Sequence, residues 1–384
     1  MKRKIICFML ILFCLFSVSS QKIFCVKAEN YFNAKSYILL DYSSQNILQK
    51  NNEKEHFEIA SMVKLMTSLL TIEKIENGEL NLGQKLIASE YACSMEGSQA
   101  FLDAHQEYTV EELLKSVIIA SANDSSVVLA EAIGGSEENF VQLMNEKAKS
   151  LGLENTLYAN STGLPSEKTQ YSSAEDVAKL LCEVIKHNLY FKFSKIWIDE
   201  LIHPSGRRTE LVNTNILIRK FKGVDIGKTG FTDEAGYCLS CSANKDGMRL
   251  VSVVIGAENN KERFNITTNL LNFGYANFEN KKILSKEDKI DDILIKKAKQ
   301  KVVSVEYEKD FYNLLKKGEH ANFKTKVEIN QNLSAPIKKG TIVGKVYVTK
   351  NGVVVGEVNI VTKSDVEKLS FGDSFKKITQ NFKI

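Results

Sequence analysis

Histidine is scarce in this chain and badly placed. The five present make no pair at metal-ligand spacing on a helix, which argues against a zinc peptidase; no metal or cofactor is expected. Cysteine is equally thin. Of seven, Cys7, Cys14 and Cys25 fall in the first 28 residues, leaving Cys93, Cys182, Cys238 and Cys241. Four are too few for a disulfide-held scaffold in a chain of 384 residues. Cys238 and Cys241 match a C-x-x-C string, but they sit in a strand-like run, where residues three apart face opposite sides. A redox or zinc pair is therefore a poor reading. The apolar stretch from Ile5 to Val18 is too short to span a bilayer comfortably. Basic excess is also missing once the start is set aside. The formal charge is +4, yet residues 1–28 hold five cations and no acid, so their removal leaves −1. Nucleic acid is not the expected partner.

What is present begins with an export signal. Lys2, Arg3 and Lys4 precede the apolar stretch, and Val26-Lys27-Ala28 offers small residues where a signal peptidase reads, placing cleavage after Ala28. Bulky Ile23 and Phe24 make a lipoprotein reading at Cys25 poor; an uncleaved anchor is the alternative. The chain is expected at the outer face of the cytoplasmic membrane or in the cell wall. About 355 mature residues imply two or three folded units.

Ser36–Leu40 and Ile47–Gln49 read as a short hairpin. Residues 60–76 read as a buried helix, stopped by Asn77-Gly78, with Ser61 near its first turn. Thr109-Val110-Glu111-Glu112 is a capping box, and the helix it starts should end near Ser121. A further helix from about Asp124 should end before Gly134-Gly135. Residues 224–231, 237–242 and 250–255 are three candidate strands, and the turn 244–247 joins the last two. A helix over about 261–276 can cover one face of their sheet, an α+β layering. After Phe278 short β-branched runs flank Asn351-Gly352, a hairpin signal, and 284–366 reads as a smaller β domain. In 367–384, Phe371, Phe375, Ile378 and Phe382 form an apolar stripe beside Lys376, Lys377 and Lys383, suited to a membrane surface. A terminal helix packed on the β domain is the plainer alternative.

Three short strings carry the chemistry: Ser61-Met62-Val63-Lys64, Ser121-Ala122-Asn123 and Lys228-Thr229-Gly230. Each is weak alone. Ser-x-x-Lys recurs at Ser19, Ser242 and Ser374, and Ser-x-Asn at Ser44 and Ser242. Order and gaps add the information. A serine hydroxyl needs a base, and on a helix positions i and i+3 share a face, so Lys64 can serve Ser61. An unperturbed lysine is protonated at neutral pH, so a basic Lys64 needs burial and a nearby positive charge, which Lys228 can supply. Ser121 can relay a proton to a leaving amine and Asn123 can bond a substrate amide. Lys228 and Thr229 suit a substrate carboxylate, and Gly230 lets an extended peptide approach the strand edge.

In these strings, the chain resembles the serine D-alanyl-D-alanine carboxypeptidases of the low-molecular-weight penicillin-binding proteins. Further matching stretches are Ile59–Thr67, Gly97-Ser98-Gln99, Ile118–Ser125, Asn160–Pro165, Tyr171–Ala174 and Lys228–Tyr237. The resemblance implies a β-lactamase/transpeptidase-like domain over 29–283, an antiparallel sheet with flanking helices and a helical subdomain. It also implies the all-β domain and an amphipathic C-terminal helix. Its implied roles are Ser61 as nucleophile, Lys64 as base, Ser121 and Asn123 as relay and substrate contact, and Lys228 and Thr229 for the carboxylate. The Ser61 and Phe231 N–H groups would form the oxyanion hole, and Arg263 would lie near the carboxylate pocket. The implied substrates are peptidoglycan stem peptides ending in D-Ala-D-Ala, with β-lactams as inhibitors. Val63 and Ala122 depart from the family's usual threonine and glycine.

Two other functions compete. A β-lactamase would share the nucleophile, but its deacylating glutamate belongs to a Glu-x-x-Leu-Asn type string, and none lies between the second and third motifs. A penicillin sensor or silent wall-binding module would show a joined signalling domain or a broken triplet, and neither is visible.

Overall fold

The computed structural model describes residues 32–300 and 302–372. The proposed signal peptide and most of the C-terminal stripe lie outside the described residues. Five antiparallel strands form the main sheet, in the spatial order Ile47–Asn51, Ala34–Asp41, Met248–Ala257, Gly236–Lys245, Val224–Thr232. The last three are consecutive hairpins. Lys245 pairs with Met248 across Asp246 and Gly247, both at positive φ, the two-residue turn chemistry that favours a hairpin. The N-terminal strand closes the other side by pairing Ile38 with Val253 and Leu40 with Val251.

Period-two alternation buries the central strands on both faces. Ile38, Leu40, Val251 and Val253 join the large helical core, which also holds Met62, Leu65, Met66 and Leu69. Leu39 and Leu250 face the helix Asn260–Asn277, which comes close enough that a Cβ on Gly274 would crowd both.

The segment expected as one helix over 60–76 is two pieces: a 3-10 turn, Ala60–Val63, and then an α-helix, Lys64–Glu76. Thr109 and Glu112 form the expected reciprocal cap of the helix Val110–Ile119. The next helix, Asn123–Gly134, ends at Gly135 with φ 76°, a left-handed cap. Between the two, Ser121 takes φ 65°.

A second apolar core forms from Val303, Val343, Val346, Val348, Val358 and Ile360. It belongs to a four-stranded sheet whose longest pair, Ile342–Lys350 and Val353–Thr362, turns at Asn351 and Gly352, both at positive φ. A separate ribbon pairs Phe278–Leu284 with Phe311–Lys316, so β structure begins directly where the covering helix ends.

Candidate active site

The 3-10 turn aims Ser61 and Lys64 at each other. Ala60 enters it at φ 46°, a left-handed value uncommon for a residue with a Cβ. Lys64 then opens the α-helix, and its Nζ donates to Ser61 Oγ at 2.9 Å and to the Thr162 carbonyl at 2.7 Å. The lysine is wholly buried. Burial holds its pKa well below the ordinary lysine value, and the charge on Lys228 pushes the same way. Val63 points into the core, away from this chemistry.

Ser121 and Asn123 reach the same cleft from the break between helices. Ser121 Oγ accepts from Lys228 Nζ at 2.7 Å. Asn123 Nδ2 donates to the Glu96 carbonyl at 2.5 Å, while its buried Oδ1 has no partner among the described residues. That oxygen is an acceptor facing no protein donor, in a structure where buried polar atoms are normally paired.

Lys228 lies on the edge strand Val224–Thr232 and also donates to the Thr229 carbonyl at 3.0 Å. Burial, then the nearby Arg263 guanidinium, push its pKa down to about 7. Thr229 Oγ1 donates to Thr214 Oγ1 at 2.7 Å, setting two hydroxyls side by side next to the lysine. Gly230 brings the strand against the nucleophile turn: a Cβ there would sit 2.7 Å from the Ile59 carbonyl oxygen and 3.2 Å from the Ser61 nitrogen. Phe231 is 48% exposed at the rim, its ring 4.3 Å from that of Tyr237.

Arg263, expected near the carboxylate pocket, lies close to the Lys228-Thr229-Gly230 strand. It is buried on the covering helix, and its Nη1 donates to the carbonyls of Gly230 and Cys238, at 3.0 and 3.3 Å. Its hydrogen bonds thus go to main-chain carbonyls of the motif strand and of the strand paired with it. Thr162 and Thr214 are the groups that sequence reasoning missed. Thr162 contributes a main-chain carbonyl, which every residue type carries, and Thr214 stands in no string of recognisable spacing. A cavity of about 720 Å³ opens beyond Thr162, bounded by Tyr91, Glu137, Leu157 and Leu164, but Ser61 does not line it. The cleft chemistry is therefore defined by convergent groups and not by that hollow.

The cluster amounts to a hydroxyl beside a buried amine of depressed pKa, a second hydroxyl beside another buried lysine, and an unpaired amide oxygen. Such a set can acylate a serine with an amide and protonate the departing amine. Among the described residues no group of three or more His, Cys, Asp or Glu is arranged to hold a metal.

Comparison with known proteins agrees in extent and kind. A family model described as D-alanyl-D-alanine carboxypeptidase matches residues 24–259, and one described as the C-terminal domain of penicillin-binding protein 5 matches 278–368. The chain is 41% identical over 339 residues to the D-alanyl-D-alanine carboxypeptidase DacF of Bacillus subtilis (strain 168), covering 88% of this chain and 87% of that protein. The structure of penicillin-binding protein 5 from Haemophilus influenzae superposes with a TM-score of 0.72 at 32% identity, covering 88% of this chain and 98% of that one. Penicillin-binding protein D2 from Listeria monocytogenes, in its ampicillin-bound form, matches with a TM-score of 0.55 at 29% identity, over 64% of this chain and 98% of that one.

Proposed function

Because this chain belongs to the D-alanyl-D-alanine carboxypeptidase family and is a serine-type enzyme of that class, we propose that its acyl-enzyme forms on Ser61. Lys64 accepts the Ser61 proton as Oγ attacks the carbonyl of the penultimate D-alanine of a peptidoglycan stem. The N–H groups of Ser61 and Phe231 hold the developing oxyanion. The C–N bond breaks as Ser121 passes a proton to the leaving D-alanine amine. Water then cleaves the ester, with the same groups working in reverse. Asn123 Oδ1 accepts from a substrate amide, Gly230 gives an extended stem access to the strand edge, and the charge of Lys228 and the hydroxyl of Thr229 receive the terminal carboxylate. Arg263 braces that strand through the Gly230 carbonyl. The observation that carries the reading is the 2.9 Å contact between Ser61 Oγ and a buried Lys64 amine whose pKa is held low.

β-Lactams, whose amide and carboxylate mimic the D-Ala-D-Ala end, acylate the same serine; the ampicillin-bound Listeria relative supports this. The β-lactamase alternative is disfavoured by the missing Glu-x-x-Leu-Asn type string. Incubation with a fluorescent penicillin should give one adduct, and D-alanine release from a pentapeptide stem should be catalytic while penicillin turnover stays slow. An adduct that persists in Ser61→Ala, or rapid penicillin hydrolysis without D-alanine release, would refute the reading.

We divide the chain into a signal peptide (1–28), the peptidase domain (29–283), the β domain (284–366) and a membrane-association tail (367–384). Two separate apolar cores support the middle boundary. The site of action is the outer face of the cytoplasmic membrane and the wall, with peripheral membrane contact through 371–384 and no nucleic-acid partner. Phe371, the first residue of the apolar stripe, is 89% exposed. No helix among the described residues is long and apolar enough to cross a membrane.

A further inference from the structure

Lys64 can act as a base only if its lone pair points at Ser61. A neutral amine has two N–H bonds and one lone pair, so rotation about the Cε–Nζ bond decides whether it accepts the serine proton. The Thr162 carbonyl takes one N–H at 2.7 Å, which keeps the lone pair off that direction and leaves it available to Ser61. Thr162 lies in irregular chain, outside any helix or strand, and a carbonyl there needs its own support.

That support comes from the preceding residues. Glu137, the first residue of the helix Glu137–Ser150, presents Oε1 to both the main-chain N–H and the hydroxyl of Ser161, at 2.9 and 2.6 Å. Its other oxygen, Oε2, accepts from Tyr91 at 2.8 Å, a bond that pushes the tyrosine pKa up to about 12. The Ser161 carbonyl in turn accepts from Thr67 at 2.7 Å; Thr67 is one turn beyond Lys64 on the same helix face. Ser161 is fully buried and Glu137 only 9% exposed. On the far side, Asn160 Oδ1 accepts from Gly163 N at 2.7 Å. Gly163, at φ 79°, packs against Ala60 so tightly that a Cβ would overlap its carbonyl.

We propose that Glu137 is a positioning residue for the acylation step: by clamping Ser161, its carboxylate holds the Thr162 carbonyl where it orients Lys64 toward Ser61. Glu137 bonds to neither Ser61 nor Lys64; its carboxylate is taken up by Ser161 and Tyr91. The proposal rests on Lys64 being the base. A misaligned base in an otherwise intact site costs about 10- to 100-fold in rate. Stopped-flow acylation of the full chain by a fluorescent penicillin separates this from a merely structural role. Glu137→Ala should lower the saturating acylation rate by about 10- to 100-fold, with the half-saturation concentration within about twofold of wild type. Glu137→Gln, which keeps an oxygen acceptor for Ser161, should recover most of the rate. Ser161→Ala, which loses one of the two donors, should fall by several-fold and decides the matter if Glu137→Ala does not fold. A folded Glu137→Ala or Ser161→Ala protein with a wild-type saturating rate would overturn the proposal, as would a loss confined to half-saturation. A wild-type protein with no Ser61 adduct would instead overturn the assignment of the nucleophile.

Discussion

Two buried lysines set the electrostatics of the cleft, and their protonation works in opposite senses. Lys64 must be neutral to take the serine proton, so acylation rises with pH as it deprotonates; its depressed pKa places that limb well below ordinary lysine titration. Lys228 must be charged to attract a carboxylate, and with its pKa at about 7 that charge fades above neutrality. The Lys228 charge is also one cause of the low Lys64 pKa. Lys228→Met should therefore move the acid limb of acylation to higher pH, read from the rate constant at saturating penicillin across a pH series. A limb that stays in place would separate the two lysines. Stability carries the matching sign. Folding depresses the Lys228 pKa from 10.5, so the unfolded chain holds more protons between about 7 and 10.5, and stability rises with pH there. The burial penalty is full below about 7. Lys228→Met should accordingly raise Tm relative to wild type at pH 6, with a difference that shrinks toward pH 9. A difference that grows with pH would contradict the sign.

Individual elements put these groups in reach of one another. The motif strand lies against the nucleophile turn because Gly230 has no side chain there. Gly230→Ala must displace main chain at Ile59 or Ser61, and overpacking of this kind costs about 1–3 kcal/mol. The acylation rate should fall at least about tenfold, because the displaced atoms include the oxyanion donor. By contrast, Thr109→Ala removes a helix cap remote from the chemistry and should cost about 1 kcal/mol of stability while leaving acylation unchanged. Thermal melts alongside acylation rates test both. These elements differ in how legible they were. The Thr109 cap, the stop at Gly135 and the turns at Asp246-Gly247 and Asn351-Gly352 are written in adjacent residues. The 3-10 turn at Ser61 has the residue pattern of plain helix, because its geometry depends on packing against the strand and on Gly163, neither of which is near in sequence.

At the scale of the molecule, the catalytic strings border the larger core through Met62, Ala122 and Ile226, and the tail follows the smaller one. Leu369 N donates to the Lys297 carbonyl at 2.7 Å and Lys299 N to the Glu367 carbonyl at 2.9 Å, so the chain is tied to the β unit through Leu369. A truncation meant to test membrane contact should therefore begin after Ser370. Deleting 371–384 should move the protein from the membrane fraction to the soluble one, since apolar burial and cation–lipid attraction are lost together. D-alanine release from a short soluble peptide should persist. Continued membrane binding would point to the N-terminal segment as the anchor, and lost peptide activity would mean that the tail is a packed structural element.

The sequence by itself determined the local and the chemical parts: an i to i+3 serine–lysine pair, an Asn-Gly hairpin, a capping box and three ordered strings. Each is encoded by residue types within a few positions of one another, so periodicity and turn chemistry suffice to read it. Tertiary structure alone decided that the strand Ala34–Asp41 would pair with Met248–Ala257 across more than half the chain. It also brought Arg263 to the Gly230 carbonyl, set Thr214 beside Thr229, and made a main-chain carbonyl at Thr162 a partner of Lys64. Long-range pairing depends on complementary faces meeting after collapse, and a backbone carbonyl has no residue-type signal, so neither leaves a local trace in the order of amino acids.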